Sequence, residues 1–369
     1  MGPLVVVAGA RPNFMKVAPL LRAAEGRVAT LLVHTGQHYD FAMSGVFFEQ
    51  LGIRAPDVHL EVGSGGHGVQ TGRIMVAFEQ YVTGLAEAPA AIVVVGDVNS
   101  TMACALVGVK LGIPVVHVEA GLRSFDRTMP EEINRIVTDS IADLLLVSEP
   151  AGLVNLAREG IAPERVQYVG NVMIDTLVHQ LAAARALRMP ERMDLGGEYA
   201  LVTLHRPSNV DAHGRLAELV GFVERLAREM PVVFPVHPRT DAKLREHQLR
   251  GALEANPAIR LVAPLGYREF IGLLDRAAVI VTDSGGVQEE STYLGRPCIT
   301  LRSTTERPVT ASAGTNTLAG EDLSLAWEAI VATRSGVSRP QVPIEGWDGQ
   351  AAPRVLDAVL ERWTITNRG

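Results

Sequence analysis

Short apolar runs alternate with amphipathic segments along the chain, and this alternation limits the fold more than any other feature of the sequence. In the first half, the apolar runs have the length and composition of buried parallel strands. They cover residues 4–8, 29–33, 92–95, 115–118, 144–147 and 166–169. Helical patterns lie between them, for example at residues 16–24 and 102–111. Strands that alternate with helices in this way predict a doubly wound α/β domain with a parallel sheet.

The same pattern occurs again in the second half of the chain. A polar stretch at residues 188–199 is interpreted as a linker. The apolar runs that follow it cover residues 200–204, 232–236, 259–262, 279–282 and 298–301. The last segment, residues 351–363, has the pattern of an amphipathic helix. The economical architecture is therefore two Rossmann-like domains with a cleft between them.

Composition fits this architecture and excludes several classes of protein. A chain of 369 residues, 47% of them hydrophobic, can build two cores. Its net charge of -7 argues against nucleic-acid partners, because non-specific binding requires a basic face. The two cysteines, Cys104 and Cys298, lie in apolar runs and are predicted to be buried thiols of a cytoplasmic protein. The sequence predicts neither a signal peptide nor a membrane-spanning segment.

The segment VTDSGGVQEE, residues 281–290, predicts a phosphate-binding turn. Its first residues end a predicted strand, and Gly285 and Gly286 follow as a turn into a helix. Backbone N–H groups at such a helix N-terminus bind anions. We therefore expect Ser284, Gly285 and Gly286 to hold phosphate groups.

A carboxylate one helical turn further along indicates how such a site selects a nucleotide over free phosphate. Glu290 is four residues after Gly286, which places it on the same helix face at about 5–6 Å. This is close to the span from the phosphates of a nucleotide to its ribose, and acidic side chains bind ribose hydroxyls in other nucleotide folds. We predict that Glu290 binds ribose, whereas Glu289 lies on the helix surface and complements the helix dipole.

Cationic side chains also follow predicted strands, at the edge where ligands bind in open parallel sheets. Arg11 and Lys16 follow the first strand in GARPNFMK and suit a diphosphate, although a solvated helix start would show the same residues. The second domain carries two His–Arg pairs after strands and a later Glu–Arg pair: His205 with Arg206, His237 with Arg239, and Glu306 with Arg307. The two histidine pairs favour anion binding over an ordinary structural role.

Acidic side chains in the first domain suit proton transfer. Glu119 directly follows a predicted strand, and Asp97 follows another one after Gly96. Asp97 would equally serve as a helix N-cap, whereas a carboxylate that follows the apolar run before Glu119 must be paired or functional. Glu131 and Glu132 begin a helix opened by Pro130, where acids also simply complement the helix dipole.

Two other motifs are rejected as cofactor or metal sites. Residues 63–68, GSGGHG, match the dinucleotide fingerprint, but the segment before them is a weak strand and the acid expected about 20 residues later is missing. A mobile glycine loop is the better interpretation. His34 and His38 have the spacing of metal ligands, but this pattern starts at a strand end and indicates turn polarity instead. We therefore expect no cofactor and no metal.

Taken together, these segments resemble the non-hydrolysing UDP-N-acetylglucosamine 2-epimerase family, which has the two-domain glycosyltransferase-B fold. They occur in order over nearly the whole chain: GARPNFMKVAPL, TGQHYD, GDVNSTMA, HVEAGLRS, PEEINR, GNVMIDTL, LHRPSN, PVHPRT, TDSGGVQEE and TTERP. We expect domains at residues 1–185 and 186–348, followed by a C-terminal helix at residues 349–369 that packs on the first domain. The resemblance also implies a homodimer.

The resemblance implies roles for the residues singled out above. Asp97, Glu119 and Glu131 are implied to be the catalytic carboxylates, and His205 is implied to act beside the diphosphate. The positions implied to bind UDP are Arg11, Lys16, Ser284, Gly285, Gly286, Glu290 and Arg307, with Phe270 beside the uracil. Arg135 and His237 are further expected contacts of the substrate.

The reaction implied by the resemblance is epimerisation at C2 of a UDP-sugar without NAD. The C2 hydrogen is not α to a carbonyl, so the route is elimination of UDP to a 2-acetamidoglucal and re-addition with protonation of the opposite face. Acids with separated pKa values and cations on the diphosphate suit this chemistry. A UDP-2,3-diacetamido uronic acid substrate stays open, as do a hydrolysing epimerase, a glycosyltransferase and a UDP-sugar sensor. Some members also bind a second UDP-sugar, at positions where Gln37 and His237 match but Asp40 and Val69 differ.

Overall fold

The structure, a computed structural model, describes residues 2–36, 48, 50–336 and 342–366. The chain forms two units: Met1–His179 with Glu345–Gly369, and Gln180–Ile344. The boundaries expected from the sequence, after Arg185 and after Asp348, lie a few residues further along the chain. The first boundary falls inside a helix, Val172–Ala186, so that no turn or loop signal marks it in the sequence.

Parallel strands form the sheet of the first unit. They are β1 (Leu4–Ala8), β2 (Thr30–His34), β3 (Val58–His59), β4 (Ala91–Val95), β5 (Val115–Ala120), β6 (Leu144–Val147) and β7 (Val166–Tyr168). Their order in the seven-stranded sheet is β3-β2-β1-β4-β5-β6-β7. The strands predicted for this half are confirmed with small shifts at their ends. The additional strand, β3, comes from the segment that the sequence marked only as a weak strand.

Helices alternate with these strands. They are α1 (Arg11–Ala24), α2 (His67–Thr83), α3 (Asn99–Lys110), α4 (Pro130–Ile141), α5 (Pro150–Arg158) and α6 (Val172–Ala186), with a 3₁₀ turn at Pro163–Arg165. Every residue of β1 and β4 is buried, since a parallel sheet is covered on both faces. This explains why these strands are continuous apolar runs in the sequence.

The second unit repeats the arrangement with a parallel sheet in the order β10-β9-β8-β11-β12-β13. Its strands are β8 (Ala200–Thr203), β9 (Val232–Pro235), β10 (Ile259–Val262), β11 (Val279–Thr282), β12 (Cys298–Thr300) and β13 (Asn316–Leu318). Its helices are α7 (Met189–Arg192), α8 (Pro207–Val210), α9 (His213–Ala227), α10 (Pro238–Glu246), α11 (Arg250–Ala255), α12 (Tyr267–Leu274), α13 (Gly285–Tyr293), α14 (Pro308–Ser312) and α15 (Leu323–Arg334). The sequence prediction missed β13, because this short strand lacks an apolar run.

Each sheet reverses its strand order at one place, and this place positions the functional residues. In the first sheet β1 pairs with both β2 and β4, and in the second sheet β8 pairs with both β9 and β11. The two strands at this place are β1 and β4 in the first sheet, and β8 and β11 in the second. The connections that follow the two strands of each pair lead towards opposite edges of the sheet. In α/β proteins of this kind, ligands bind in the crevice that opens at the carboxyl ends of these strands.

The C-terminal helix α16 (Ala351–Thr366) belongs to the first unit and packs against α1. Its backbone N–H groups at Ala351 and Ala352 donate to the carboxylate of Asp175, at 3.0 and 2.7 Å. Asp175 lies on α6 and thereby caps a helix that is remote in sequence. The predicted return of this helix to the first domain is confirmed.

A short segment before α16 explains why the chain returns to the first unit earlier than predicted. The indole N–H of Trp347 donates to the carbonyl of Ser148 at 3.1 Å, and the Tyr168 hydroxyl donates to the carbonyl of Glu345. Gly170 and Gly346 approach so closely that a Cβ on either would collide with the other backbone. These anchors precede the predicted boundary at Asp348.

The polar stretch at residues 188–199, interpreted as a linker, lies inside the second unit and not between the two units. Met189, Leu195 and Tyr199 in this stretch are buried in one of the cores of the second unit. The Tyr199 hydroxyl donates to the carbonyl of Leu273 at 2.5 Å. The burial of these apolar side chains could not be predicted from the sequence, because polar residues surround them and no apolar periodicity results. It depends on how the segment packs in the folded second unit.

Composition predicted the environment of both cysteines correctly. Cys104 and Cys298 are buried free thiols. Burial raises the pKa of Cys298 to about 11, which keeps this thiol unreactive at neutral pH. Across residues 2–36, 50–336 and 342–366, no helix combines the length and the apolar character that a membrane crossing requires.

Candidate functional site

The carboxyl edge of the first sheet brings Lys16 and Glu119 into a buried ion pair. Glu119 is 4% exposed and Lys16 is 8% exposed, and the ammonium group donates to Oε2 of the carboxylate. A buried charge is tolerated when an opposite charge compensates it. The pair meets the expectation that Glu119 must be paired or functional, and it excludes a solvated helix start for Lys16.

The backbone of Glu119 is strained, and the strain directs its side chain. Glu119 has φ +74°, in the left-handed region that non-glycine residues seldom adopt. The pairing of β5 with β6 shifts register between Val118 and Ala120, which makes Glu119 part of a β-bulge. Bulges redirect a side chain and are frequent beside functional sites. The sequence predicted that the strand ends at Val118, because a bulge leaves no pattern in hydrophobic periodicity.

Gly96 lies between β4 and Asp97 and leaves room for this ion pair. It has φ +67°, and a Cβ at this position would lie 2.8 Å from Nζ of Lys16 and 3.2 Å from Oε2 of Glu119. Both the backbone conformation and the space therefore require glycine.

We expect Gly96→Ala to lower the free energy of unfolding by about 1–3 kcal/mol, because it combines left-handed strain with overpacking. Thermal unfolding measures the effect. Gly221→Ala is the matched control, since Gly221 lies exposed in α9 with open space around it. The control is expected to gain about 0.5–1 kcal/mol from helix propensity. A Gly96→Ala protein that melts at or above the wild-type temperature would contradict the role of this glycine.

Asp97 is held by two residues of α4. Nη2 of Arg135 lies 2.5 Å from Oδ2 of Asp97, and Asn134 donates to the backbone carbonyl of Asp97 at 2.8 Å. The N-cap of α3 is Val98, so the alternative that Asp97 caps this helix is wrong. Arg135 is 2% exposed and also pairs with Glu132 at 2.8 Å. In the structure Arg135 orients acids, and its expected contact with substrate stays a prediction.

Glu131 and Glu132 are adjacent in sequence but differ in role. Glu132 is 1% exposed and accepts hydrogen bonds from the N–H groups of Ser124 and Phe125, both at 2.9 Å. It therefore anchors the loop after β5, and a surface role in complementing the helix dipole does not describe it. Glu131 is half-buried and lies one helical turn before Arg135, on the same helix face. The predicted catalytic acid of this pair is thus the more accessible one.

A buried histidine within β5 makes hydrogen bonds that stabilise this edge of the first sheet. His117 contacts Asp139 through Nδ1 at 2.6 Å and donates from Nε2 to the carbonyl of Gly96 at 2.8 Å. Burial opposes the charge of Asp139, but His117 and then Arg123 keep the pKa of this carboxyl below its usual value. Sequence reasoning missed His117 and Asp139. A polar residue inside the apolar run VVHV was the signal, since a buried imidazole needs partners.

At the corresponding edge of the second sheet, His205 follows β8 and Asp283 follows β11. Nδ1 of His205 lies 2.9 Å from Oδ1 of Asp283. Burial alone would raise the pKa of Asp283, but hydrogen bonds from His205, Arg206 and Asn209 hold it below its usual value. The sequence prediction included His205 and omitted Asp283. The rule that selected Glu119, an acid directly after a predicted strand, would have found Asp283 as well.

His237 lies beside His205 but is bound differently. The ring centroids are 5.4 Å apart, and Nδ1 of His237 accepts from the backbone N–H of Arg239 at 3.2 Å. Burial and then the neighbouring His205 lower the pKa of His237. His237 is thus the N-cap of α10 and a neutral group, with Nε2 as its remaining polar atom.

The predicted turn of the phosphate site is confirmed as local structure. β11 ends at Thr282, Ser284 is the N-cap, and α13 begins at Gly285. Ser284, Gly285 and Gly286 are half-buried, which leaves this helix start accessible. Phosphate binding at this helix start stays a prediction.

Glu289 is not on the surface, so the prediction for this residue was wrong. It is 1% exposed and pairs with Nε of Arg307 at 2.8 Å. Arg307 also lies 3.9 Å from Glu306, which in turn pairs with Arg302 at 2.8 Å. The helix α13 packs among β11, β12 and β13, so its acidic face is enclosed. Arg307, predicted to bind UDP, therefore neutralises buried acids in this structure.

Glu290, predicted to bind ribose, is 3% exposed and faces the hydroxyl of Tyr267. Burial raises the pKa of Glu290 to about 8, while Tyr267 opposes this shift and Glu289 adds to it. Burial likewise raises the pKa of Tyr267 well above its usual value, and Glu290 raises it further. Glu290 is therefore protonated at neutral pH in this structure, ready to exchange hydrogen bonds with a polar ligand.

Two further predicted positions, Phe270 and Val69, lie among the described residues. Phe270 of α12 is half-buried and packs against the core that contains Tyr199. Val69 is 57% exposed on α2. The predictions for the side chain of Arg11 and for Gln37, His38 and Asp40 lie outside what the structure describes.

The chain has two Rossmann-like units. Acids lie at the carboxyl edge of the first sheet, and a histidine, an arginine and a helix start lie at the carboxyl edge of the second. Together these features define an α/β enzyme suited to anionic, nucleotide-like ligands. The sequence model described as UDP-N-acetylglucosamine 2-epimerase matches residues 22–360. The chain belongs to this family and is an isomerase.

Relatives support the assignment over most of the chain. A UDP-N-acetylglucosamine 2-epimerase of Methanococcus maripaludis is 42% identical over 323 residues, which is 86% of this chain and 87% of that protein. The UDP-2,3-diacetamido-2,3-dideoxy-D-glucuronate 2-epimerase of Pseudomonas aeruginosa is 37% identical over 359 residues, 96% of this chain and 98% of that protein.

A solved structure shows the same architecture. The crystal structure of Methanocaldococcus jannaschii UDP-GlcNAc 2-epimerase in complex with UDP-GlcNAc and UDP superposes with a TM-score of 0.89 at 38% identity. The aligned region covers 97% of this chain and 99% of the Methanocaldococcus jannaschii chain. The predicted α/β class with two Rossmann-like domains of the glycosyltransferase-B type is confirmed.

Proposed function

We propose that this protein is a non-hydrolysing 2-epimerase that interconverts UDP-N-acetylglucosamine and UDP-N-acetylmannosamine. The observation that carries the proposal is the set of constrained acids at the edge of the first sheet. Lys16 neutralises Glu119 on a strained bulge, and Arg135 holds Asp97, which follows the neighbouring strand β4. A protein that only binds a UDP-sugar has no need for such acids.

The chemistry proceeds by elimination and re-addition. One carboxylate removes the hydrogen from C2 while the bond from C1 to the UDP oxygen breaks, which leaves a C1–C2 double bond. UDP then attacks C1 again, while a second acid delivers a proton to the opposite face of C2. Asp97, Glu119 and Glu131 are the proposed proton carriers, since general acid–base catalysis requires groups held within reach of the reacting carbon.

The second unit supplies the groups proposed to hold UDP. The start of α13 at Ser284 and Gly285 offers backbone N–H groups to phosphate oxygens. His205 and Arg307 are the cationic or donor side chains proposed for the diphosphate, and Glu290 is proposed for the ribose. Charge that develops on the departing UDP is stabilised by such preorganised donors.

Incubation of the purified protein with UDP-N-acetylglucosamine in D₂O, without any acceptor, tests this proposal. Deuterium is expected at C2 of both sugars, because the proton that returns to C2 exchanges with solvent. Unlabelled sugar after long incubation would defeat the proposal and favour a glycosyltransferase or a UDP-sugar sensor. Free UDP with N-acetylmannosamine would point to a hydrolysing epimerase.

A 2,3-diacetamido uronic acid sugar is the second candidate substrate. The extensive similarity to the Pseudomonas aeruginosa relative, 37% identity over 359 residues, favours it specifically. The ratio of kcat/KM for the two UDP-sugars decides between them, because discrimination is a ratio of these constants.

The proposal includes a homodimer that acts in the cytoplasm and requires neither NAD nor a metal. The family resemblance supports the dimer, and the buried thiols fit a reducing compartment. Sedimentation tests the oligomeric state. Loss of activity with EDTA and its recovery with a metal ion would refute the metal-free reaction.

A further inference from the structure

The carboxylate of Asp283 organises the only histidine–carboxylate pair that the described residues place at a strand end of the second sheet. Its side chain is 0% exposed. Besides His205 Nδ1, it accepts from the backbone N–H of His205 at 3.0 Å, from that of Arg206 at 2.9 Å and from the Asn209 amide at 3.1 Å. The two backbone N–H groups and the Asn209 amide are donors, and the pKa of Asp283 lies below its usual value, so Asp283 is ionised.

These partners assign the tautomers of two neighbouring histidines. Because Asp283 only accepts, Nδ1 of His205 carries a proton, and Nε2 is left for a ligand. In His237 the assignment is reversed, since its Nδ1 accepts from Arg239 and the ring proton lies on Nε2. The side chain of His205 is 33% exposed, so a ligand can reach it.

We propose that Asp283 is a positioning residue that fixes the tautomer of His205 and makes its Nε2 take up a proton when a diphosphate binds. The inference rests on the proposed function, since UDP supplies the diphosphate. Asp283 stabilises the imidazolium, and the charged Nε2–H donates to a phosphate oxygen more strongly than a neutral ring would. The imidazolium keeps its proton through elimination and re-addition, and releases it when the UDP-sugar leaves.

The charged groups around His205 fit this role. Arg206, the next residue, lies 4.0 Å from Glu306, and Arg239 of α10 pairs with Asp211 at 2.6 Å. His237 faces the ring from the end of β9 and is neutral. Asp283 is thus the anion that contacts the ring itself and favours its charged form.

The first test uses the wild-type protein. Nitrogen NMR of selectively labelled histidines, at a pH where both rings are neutral, is expected to show the Nδ1–H tautomer at His205 and the Nε2–H tautomer at His237. An Nε2–H tautomer at His205 would overturn the proposal without any variant.

The second test is calorimetry of UDP binding in buffers with different heats of ionisation. Asp283→Asn is expected to lose the proton uptake of the wild type and to bind UDP at least tenfold more weakly. Asn209→Ala is the matched control, because it removes another hydrogen bond to Asp283 but keeps the charge beside His205. The quantity compared is the number of protons taken up on UDP binding by the wild type and by each variant. A proton that is released elsewhere, for example at Glu290, is common to all of these proteins and cancels in the difference.

The outcomes separate this inference from the proposed function. A wild-type protein that neither binds UDP nor exchanges hydrogen at C2 would refute the proposed function. Normal UDP binding with the same proton uptake in wild type and Asp283→Asn would refute only the inference. If Asp283→Asn does not fold, His205→Gln takes its place, since the backbone bonds to Asp283 remain. Undiminished proton uptake in His205→Gln would equally overturn the proposal.

Discussion

Asp97→Asn and Glu131→Gln are each expected to lower turnover by about 10²–10⁴ while UDP affinity stays within a few-fold. Both substitutions keep size and hydrogen bonding but remove the capacity to accept a proton. Arg135 keeps Glu132 as a charged partner when Asp97 is neutral, so the fold tolerates the change. The measurements are the rate of deuterium incorporation at C2 and the calorimetric affinity for UDP. A variant that exchanges C2 at the wild-type rate would exclude that acid from the reaction.

Glu132→Gln is the matched control for Glu131→Gln, because the two acids share the first turn of α4. Glu132 accepts backbone hydrogen bonds and pairs with Arg135, so this variant is expected to lose about 1–3 kcal/mol of stability. Glu131→Gln is expected to unfold at the wild-type temperature. Glu119→Gln gives a less direct test, since it removes the charge that neutralises the buried Lys16 and so affects fold and chemistry together.

Glu290→Gln is expected to stabilise the protein strongly above pH 8 and hardly at all below pH 5. Burial raises the pKa of Glu290 to about 8 in the folded protein. The protonated carboxyl therefore makes its full contribution to the free energy of unfolding below the pKa that Glu290 has in the unfolded chain. This contribution is lost as the pH rises through about 8. A rise from 4.5 to about 8 corresponds to a limit of about 5 kcal/mol at high pH. Glutamine keeps the neutral form at every pH.

Unfolding in denaturant at pH 5, 7 and 9 measures this effect. Glu328→Gln is the control, since Glu328 lies exposed on α15 and its replacement should stay within about 0.5 kcal/mol. A Glu290→Gln protein with the same pH profile as the wild type would show that Glu290 is not buried as a neutral acid.

The same residue tests the ribose prediction. Glu290→Ala removes the hydrogen bonds that the neutral carboxyl is proposed to make to the two ribose hydroxyls, worth about 0.5–1.5 kcal/mol each, and should weaken UDP binding about tenfold. Normal UDP affinity in this variant would refute the role of Glu290 in nucleotide selection. The stability and affinity effects are independent, because the first requires no ligand.

The amino-acid sequence determined the architecture and which polar residues follow the strand ends. Apolar periodicity is a local property, and a parallel strand buried on both faces must be an apolar run. Sheet topology then fixes which edge binds ligands, so the sequence alone places Asp97, Glu119 and His205 at carboxyl ends of strands. The turn at Gly285 was predictable for the same reason, since glycine and strand ends leave local signals.

Only the tertiary structure decided how these residues are paired and how deeply they are buried. Lys16 and Glu119 are 103 positions apart, and the backbone bonds from His205 to Asp283 span 78 positions. No local pattern records such contacts. Glu289 was predicted to lie on the helix surface, but neighbouring elements enclose α13, so Glu289 is buried beside Arg307 and burial raises the pKa of Glu290. Charge, protonation and partner choice depend on burial by distant segments, and burial is a property of the folded chain.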